Sequence, residues 1–167
     1  MDGRMDAVVT WIQGTPVSEA LRQSQYAFPA GETLHFVGLA MLFGFVAILD
    51  LRMLGVARQL PLASLHRILP WGVTGFTITF ATGLLFIFAT PEQYLNDWVF
   101  WSKMLFVALA GVNVLIFYAG GIYRLVETLG PGEDAPPPAK AIAATSLVLW
   151  IGVMFFGRML PFLGVAF

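Results

Sequence analysis

The sequence contains no cysteine. That single absence removes disulfides, thiolate metal sites, iron–sulfur clusters and cysteine nucleophiles together. Charge is nearly as scarce: charged residues make up 11% of the 167, whereas a soluble domain usually carries about 25%. Net charge is −1, so no basic surface is offered to nucleic acid. Phosphate loops, nucleophile elbows and paired catalytic carboxylates are missing too. Gly120-Gly121 and Gly130-Pro131-Gly132 read as a helix end and a turn rather than nucleotide loops. No motif specifies a reaction.

What fills the chain instead is hydrocarbon. Hydrophobic residues account for 58%, and the mean hydropathy is +0.79. Crossing about 30 Å of lipid takes about 20 mostly apolar residues. Four stretches satisfy this, at about 34–54, 71–89, 99–123 and 141–163. The expected fold is all-α: an integral membrane four-helix bundle of up-down topology, with both termini on one side. Residues 32–167 form the transmembrane domain. Residues 1–31 read as an interfacial segment, with Trp11, Tyr26 and Phe28 suited to headgroup level. The opening Met1-Asp2-Gly3-Arg4-Met5-Asp6 does not read as a secretory signal, because acids stand where a basic region belongs.

The connections differ in kind. Residues 90–98, with Pro91, make a short turn that predicts spans two and three as antiparallel neighbours. Residues 55–70 leave room for a short surface helix before Pro70, and residues 124–140 are polar and proline-rich, a solvated loop. Gly75, Thr79 and Gly83 recur every four residues on span two, a stripe that admits close helix approach inside the protein or against another copy. Let side A hold both termini and side B lie opposite. Arg52, Arg58, Arg67, Arg124 and Lys140 fall at side B, against Arg4 and Arg22 in the side-A flanks. The positive-inside rule makes side B cytoplasmic, so in a bacterial inner membrane both termini are periplasmic.

Ionisable groups inside spans mark function by default. His35 opens span one, Lys103 lies about one turn into span three, and Arg158 about one turn from the end of span four. All three share one depth near side A, with Glu32, Glu92 and Asp97 at the same rim. Snorkelling to the headgroups accounts for each cation alone. Convergence of three helices suggests a site that holds an anion or a metal-bearing ligand. His66 falls at side B, about 30 Å from His35 at 1.5 Å per residue, so one iron cannot use both. It reads as a surface group near Arg67. Asp50, Arg52, Arg67 and Arg124 make a second cluster, in which Asp50 pairs with an arginine to lock helix ends. Asn113, mid-span, is read as an interhelical hydrogen-bonding group. The seven methionines show no soft-metal clustering, although Met104 and Met159 adjoin Lys103 and Arg158.

Several runs carry a family likeness. Glu32-Thr33-Leu34-His35-Phe36-Val37-Gly38, then Gly44, then Leu49-Asp50-Leu51-Arg52-Met53-Leu54-Gly55 resemble a family of uncharacterised small bacterial membrane proteins. That group is itself similar to the copper-resistance D (CopD) fold. Leu69-Pro70-Trp71, Gly75-Phe76, Ala81-Thr82-Gly83, Phe100-Trp101-Ser102-Lys103, Asn113, Trp150 and Gly157-Arg158 extend the likeness over nearly the whole chain. A more distant resemblance is to membrane protoporphyrinogen oxidases of the HemJ type, which carry a histidine early in one helix and a lysine early in a later one. By that resemblance, His35 and Lys103 are tied to b-type haem or porphyrin.

Two chemical expectations follow. In the first, the chain is a haem-b or porphyrin-binding membrane redox protein. His35 ligates iron, Arg158 pairs with a propionate, Lys103 is a second ligand or propionate partner, and Trp101 stacks on the macrocycle. The alternative is a copper-handling, CopD-like protein using His35 and a rim methionine. A third, non-chemical expectation is a cofactor-free structural subunit. The partners expected are the lipid bilayer and either further copies of the chain or a membrane redox complex.

Overall fold

The computed structural model describes residues 3–164, with side chains from residue 5 onward. The described chain is helical: α1 (Gly3–Gln13), α2 (Pro16–Gln23), α3 (Ala27–Leu54), α4 (Leu62–His66), α5 (Leu69–Ala89), α6 (Pro91–Leu95), α7 (Trp98–Ala119), α8 (Ile122–Val126) and α9 (Pro137–Leu163). Among them α3, α5, α7 and α9 provide four helices long and apolar enough to cross a bilayer. Helices are what such sequences must form, because lipid offers no partner for a free backbone N–H or C=O.

Local chemistry sets the boundaries. Asp97 caps α7, its Oδ1 accepting the Val99 N–H at 2.7 Å. Gly55, at φ 95°, ends α3 by turning its N–H back to the Arg52 carbonyl, a left-handed stop that favours glycine. Gly121, at φ 78°, performs the same break beyond α7. The third span therefore ends at Ala119 rather than Tyr123, and the chain restarts as α8. At the other extreme, α3 begins at Ala27, seven residues ahead of the expected start. His35 consequently lies roughly 12 Å along its helix, deeper than the second position of a span.

Packing follows a row. α5 lies against α3, α3 against α9, and α9 against α7. α5 and α7, joined by the shortest connection, make no such seam. The expectation that spans two and three are neighbours is thus corrected: they run antiparallel but stand apart. α6 occupies the turn between them, and each finds its packing surface elsewhere. For α5 that surface is α3 at Gly38 and Gly75, where a Cβ on Gly75 would meet the Gly38 carbonyl oxygen at 2.6 Å. The Gly75/Thr79 part of the stripe is used up inside the protein, in this backbone-to-backbone approach.

Two apolar clusters fill the interior. Leu42, Ala110, Trp150 and Val153 pack at mid-depth. Leu49, Met53, Leu62, Leu65, Phe117, Val126, Ala135, Ala139 and Ala143 pack toward side B. The 124–140 loop is more than a solvated link, since Val126 and Ala135 join that core. Beside it the Arg52 side chain is fully buried. Its guanidinium donates to the carbonyls of Leu60 at 2.5 Å, Glu133 at 3.1 Å and Gly130 at 3.0 Å. One side chain thereby fastens both side-B loops to the end of α3. Arg58 and Lys140 meet Asp134, at 3.4 and 2.7 Å. Lys140 first and then Arg58 hold that exposed carboxyl below its ordinary 3.8. The expected pairing of Asp50 with Arg52, Arg67 or Arg124 is not formed among the described residues; Arg52, two residues along the helix, is committed to loop carbonyls.

At side A the N-terminal segment folds into α1 and α2, which lie against α5 and α6. Val9 and Ile12 are buried there, while Trp11 and Tyr26 stay exposed. Gln13 Nε2 donates to Glu92 Oε1 at 2.9 Å, tying the cap to the α5–α7 turn.

Thermal unfolding in detergent checks this packing. Gly75→Ala should destabilise by about 1–3 kcal/mol, the usual cost of overpacking a rigid contact. Gly44→Ala, where an added Cβ meets nothing within 4 Å, should be neutral or slightly stabilising. Arg52→Ala leaves three carbonyls without their donor and should cost at least about 2 kcal/mol. Equal melting temperatures for all three variants would refute the assignment of these contacts.

Candidate functional site

Neither apolar cluster reaches the side-A third of the bundle, where α3, α5 and α7 present polar side chains. His35 of α3 is part-buried, and its Nδ1 lies 2.8 Å from Thr82 Oγ1 on α5. That register follows from the Gly38–Gly75 approach. Gly83, next to Thr82, leaves open space that the imidazole edge fills, a Cβ there coming within 3.7 Å of the ring. Phe86 flanks the ring at a centroid distance of 5.3 Å.

The hydrogen bonds assign the tautomer. Thr82 has one hydroxyl proton, which it directs to the Ile78 carbonyl at 2.7 Å, with Thr79 at 3.1 Å. With that proton spent on Ile78, its oxygen accepts from the imidazole, an arrangement that calls for the Nδ1–H tautomer and leaves the Nε2 lone pair for another partner. A fixed tautomer with a free Nε2 is the state in which histidine binds a metal or accepts a proton.

Lys103 supplies the charge. It sits on α7 opposite Gly157 of α9, where the missing side chain makes room: a Cβ on Gly157 would lie 3.6 Å from Lys103 Nζ. The two groups stand on different helix pairs, His35 with α3 and α5, Lys103 with α7 and α9. Together they can hold a metal through Nε2 and an anionic group through Nζ.

The other expected members are placed elsewhere. Arg158 is exposed, its guanidinium 5.0 Å above the Phe162 ring, a cation–π arrangement that suits an interfacial anchor. Trp101 is 48% exposed. Its indole N–H is spent on the Leu95 carbonyl at 2.9 Å, which fixes it to the α6–α7 turn. Asp97 is buried as the α7 cap, and Glu32 and Glu92 are exposed at the rim. Nearby, burial and then the Glu32 carboxylate push the Tyr94 phenol up to about 12, so it stays protonated. Among the described residues, no three or more histidine, aspartate or glutamate side chains gather as a metal-binding group.

His66 belongs to the far end. It stacks on Tyr123 at 4.7 Å, and its Nε2 lies 3.5 Å from the Tyr118 hydroxyl. More than a surface group near Arg67, it lines a small side-B cavity with Leu49, Phe117 and Val126. Thr82 was not among the residues singled out from sequence. Its position on the glycine-bearing face of α5, three residues beyond Thr79, is the signal that points to it.

The fold defines an integral membrane four-helix protein with a histidine and a lysine on different helices toward the same end of the bundle. The chain belongs to DUF6644, a family of unknown function whose pattern matches residues 23–163. This agrees with the resemblance to an uncharacterised family and shows no link to the CopD fold or to HemJ-type oxidases. No curated protein matches the chain, and no solved structure does.

The tautomer is directly testable. Nitrogen-15 spectra of labelled histidine should show His35 as the Nδ1–H form. Thr82→Val removes the acceptor and should yield a mixture of tautomers. A wild-type His35 protonated on Nε2 would reverse the assignment.

Proposed function

We propose that this protein binds haem b, or a closely related porphyrin, in the side-A third of its bundle and acts in membrane redox chemistry. The observation that carries the reading is His35, whose Nδ1 lies 2.8 Å from Thr82 Oγ1 and whose Nε2 has no hydrogen-bond partner among the described residues, with Lys103 entering the same end of the bundle from α7. Haem brings four equatorial nitrogens of its own, so it asks the protein for an axial ligand and for cations that receive its propionates. His35 fits the first demand, with Thr82 as the outer partner that orients the ring. Lys103 fits the second. Bound there, the group would supply one-electron chemistry. His35 would orient it, and Lys103 would offset its negative charge.

A bare copper ion, the CopD-like alternative, is favoured less. The ammonium that welcomes a propionate repels a free cation held by one imidazole. The HemJ resemblance supports the porphyrin reading, and Arg158 and Trp101 become interfacial anchors within it. The basic residues of the side-B flanks support an orientation in a bacterial inner membrane with both termini periplasmic.

The test is the visible spectrum of protein purified from cells supplied with a haem precursor. A Soret band is expected for the wild type and its loss for His35→Ala. Thr82→Val should weaken haem retention by about 10–100-fold, the usual effect of removing an outer partner. A wild type without haem absorbance would overturn the reading. Copper bound in proportion to protein and dependent on His35 would replace it with the alternative.

A further inference from the structure

A second polar site lies at the opposite end of the bundle, independent of whether haem binds at the first. Asp50 is on α3, four residues before its end, or about 6 Å from the side-B terminus of the helix. It is only 3% exposed, and its Oδ2 is buried without a hydrogen-bond partner. The Ser146 hydroxyl of α9 is its side-chain hydrogen-bonding neighbour. One turn earlier on α9, the Ile142 carbonyl accepts from Asn113 Nδ2 of α7 at 3.2 Å, which brings Asn113 to the same level. Both Ser146 and Asn113 are 6% exposed. Three helices thus place a carboxyl, a hydroxyl and an amide at one depth, sealed from lipid.

Among the described residues no basic side chain forms an ion pair with Asp50, Arg67 and Arg124 included. Arg52, two residues along α3, turns its guanidinium to three loop carbonyls. Lys140 of α9 is engaged by Asp134, and His66 of α4 stacks on Tyr123. The nearby end of α5, Leu69–Thr77, carries no titratable side chain. An isolated carboxylate is among the most costly groups to bury, and natural proteins neutralise it by pairing or by binding a cation. The donors on offer are hard oxygens, which suit small hard cations rather than soft metals.

We propose that Asp50 is a monovalent-cation exchange site, taking a proton or a sodium-sized ion from side-B water onto its unpartnered oxygen, with the Ser146 hydroxyl as its neutral neighbour. Side B is the nearer surface, past the packed cluster of Leu49, Met53 and Phe117; toward side A, Leu42, Ala110, Trp150 and Val153 fill mid-depth.

Infrared difference spectra of the full-length protein in lipid vesicles distinguish the two ions. One exchange moves from acid to alkaline buffer without sodium, and the other adds sodium at fixed pH. A carboxyl band absent from Asp50→Asn should respond to alkali alone if the occupant is a proton. It should respond to sodium at fixed pH if the occupant is the metal ion. Ser146→Ala keeps the carboxyl but removes its hydroxyl neighbour, and the band should shift in frequency. No Asp50-dependent response to either exchange would overturn the proposal. Should Asp50→Asn not fold, a band unmoved by Ser146→Ala would overturn it equally.

Discussion

The close approach of α3 and α5 at Gly38 and Gly75 is the constraint on which the rest of the molecule depends. Backbone meets backbone there, with a Gly38 oxygen where any Cβ on Gly75 would have to sit. In lipid no hydrophobic drive presses helices together, so association rests on such close packing and on polar bonds between helices. The approach also sets register. Going outward along the antiparallel pair, His35 comes opposite Thr82 and Gly83, where a hydroxyl and an open backbone await the imidazole. A slip of one residue would turn the ring by about 100° away from that partner.

The second hairpin repeats the device with different atoms. Gly152 receives the Phe106 ring and Gly157 receives the Lys103 chain, so α7 and α9 also use glycine to seat a larger group. α3 and α9 then join the hairpins at the mid-depth cluster. Because α5 and α7 stay apart, the two halves meet along one seam. The polar groups of each lie at its side-A end, about two turns beyond the apolar plug. Side B is built on the opposite logic: Arg52 satisfies loop carbonyls and fixes two connections at once. One end is fastened, and the other carries a histidine with an unused nitrogen.

Much of this was legible in the sequence. Four spans, a short helix before Pro70 and the side-A placement of His35 and Lys103 follow from hydropathy and from where charge interrupts it; that His35 lies deeper than expected, because α3 starts at Ala27, does not. Helix order around the bundle did not follow. A short connection implies adjacency in soluble bundles, yet here Gly38 and Gly157 give α3 and α9 better surfaces than the turn gives α5 and α7. The end of the bundle was readable but direction was not. Lys103 and Arg158 lie at similar depth, and only packing reveals that Gly157 turns one inward while Phe162 holds the other outside. The role of Thr82 and the unpaired state of Asp50 were hidden for a related reason. A threonine among apolar residues looks like filler until its partner is known, and an aspartate near arginines looks paired until the nearest of them, Arg52, is found engaged with loop carbonyls.

The central claim is that His35 and Lys103, from separate hairpins, face one another in the outer third of the bilayer. With only two histidines and two lysines in the chain, solid-state NMR in lipid can test it without crowding. A dipolar correlation between the His35 ring carbons and Lys103 Nζ is the result predicted. A Lys103 Nζ that correlates with lipid headgroups and never with the imidazole would contradict it.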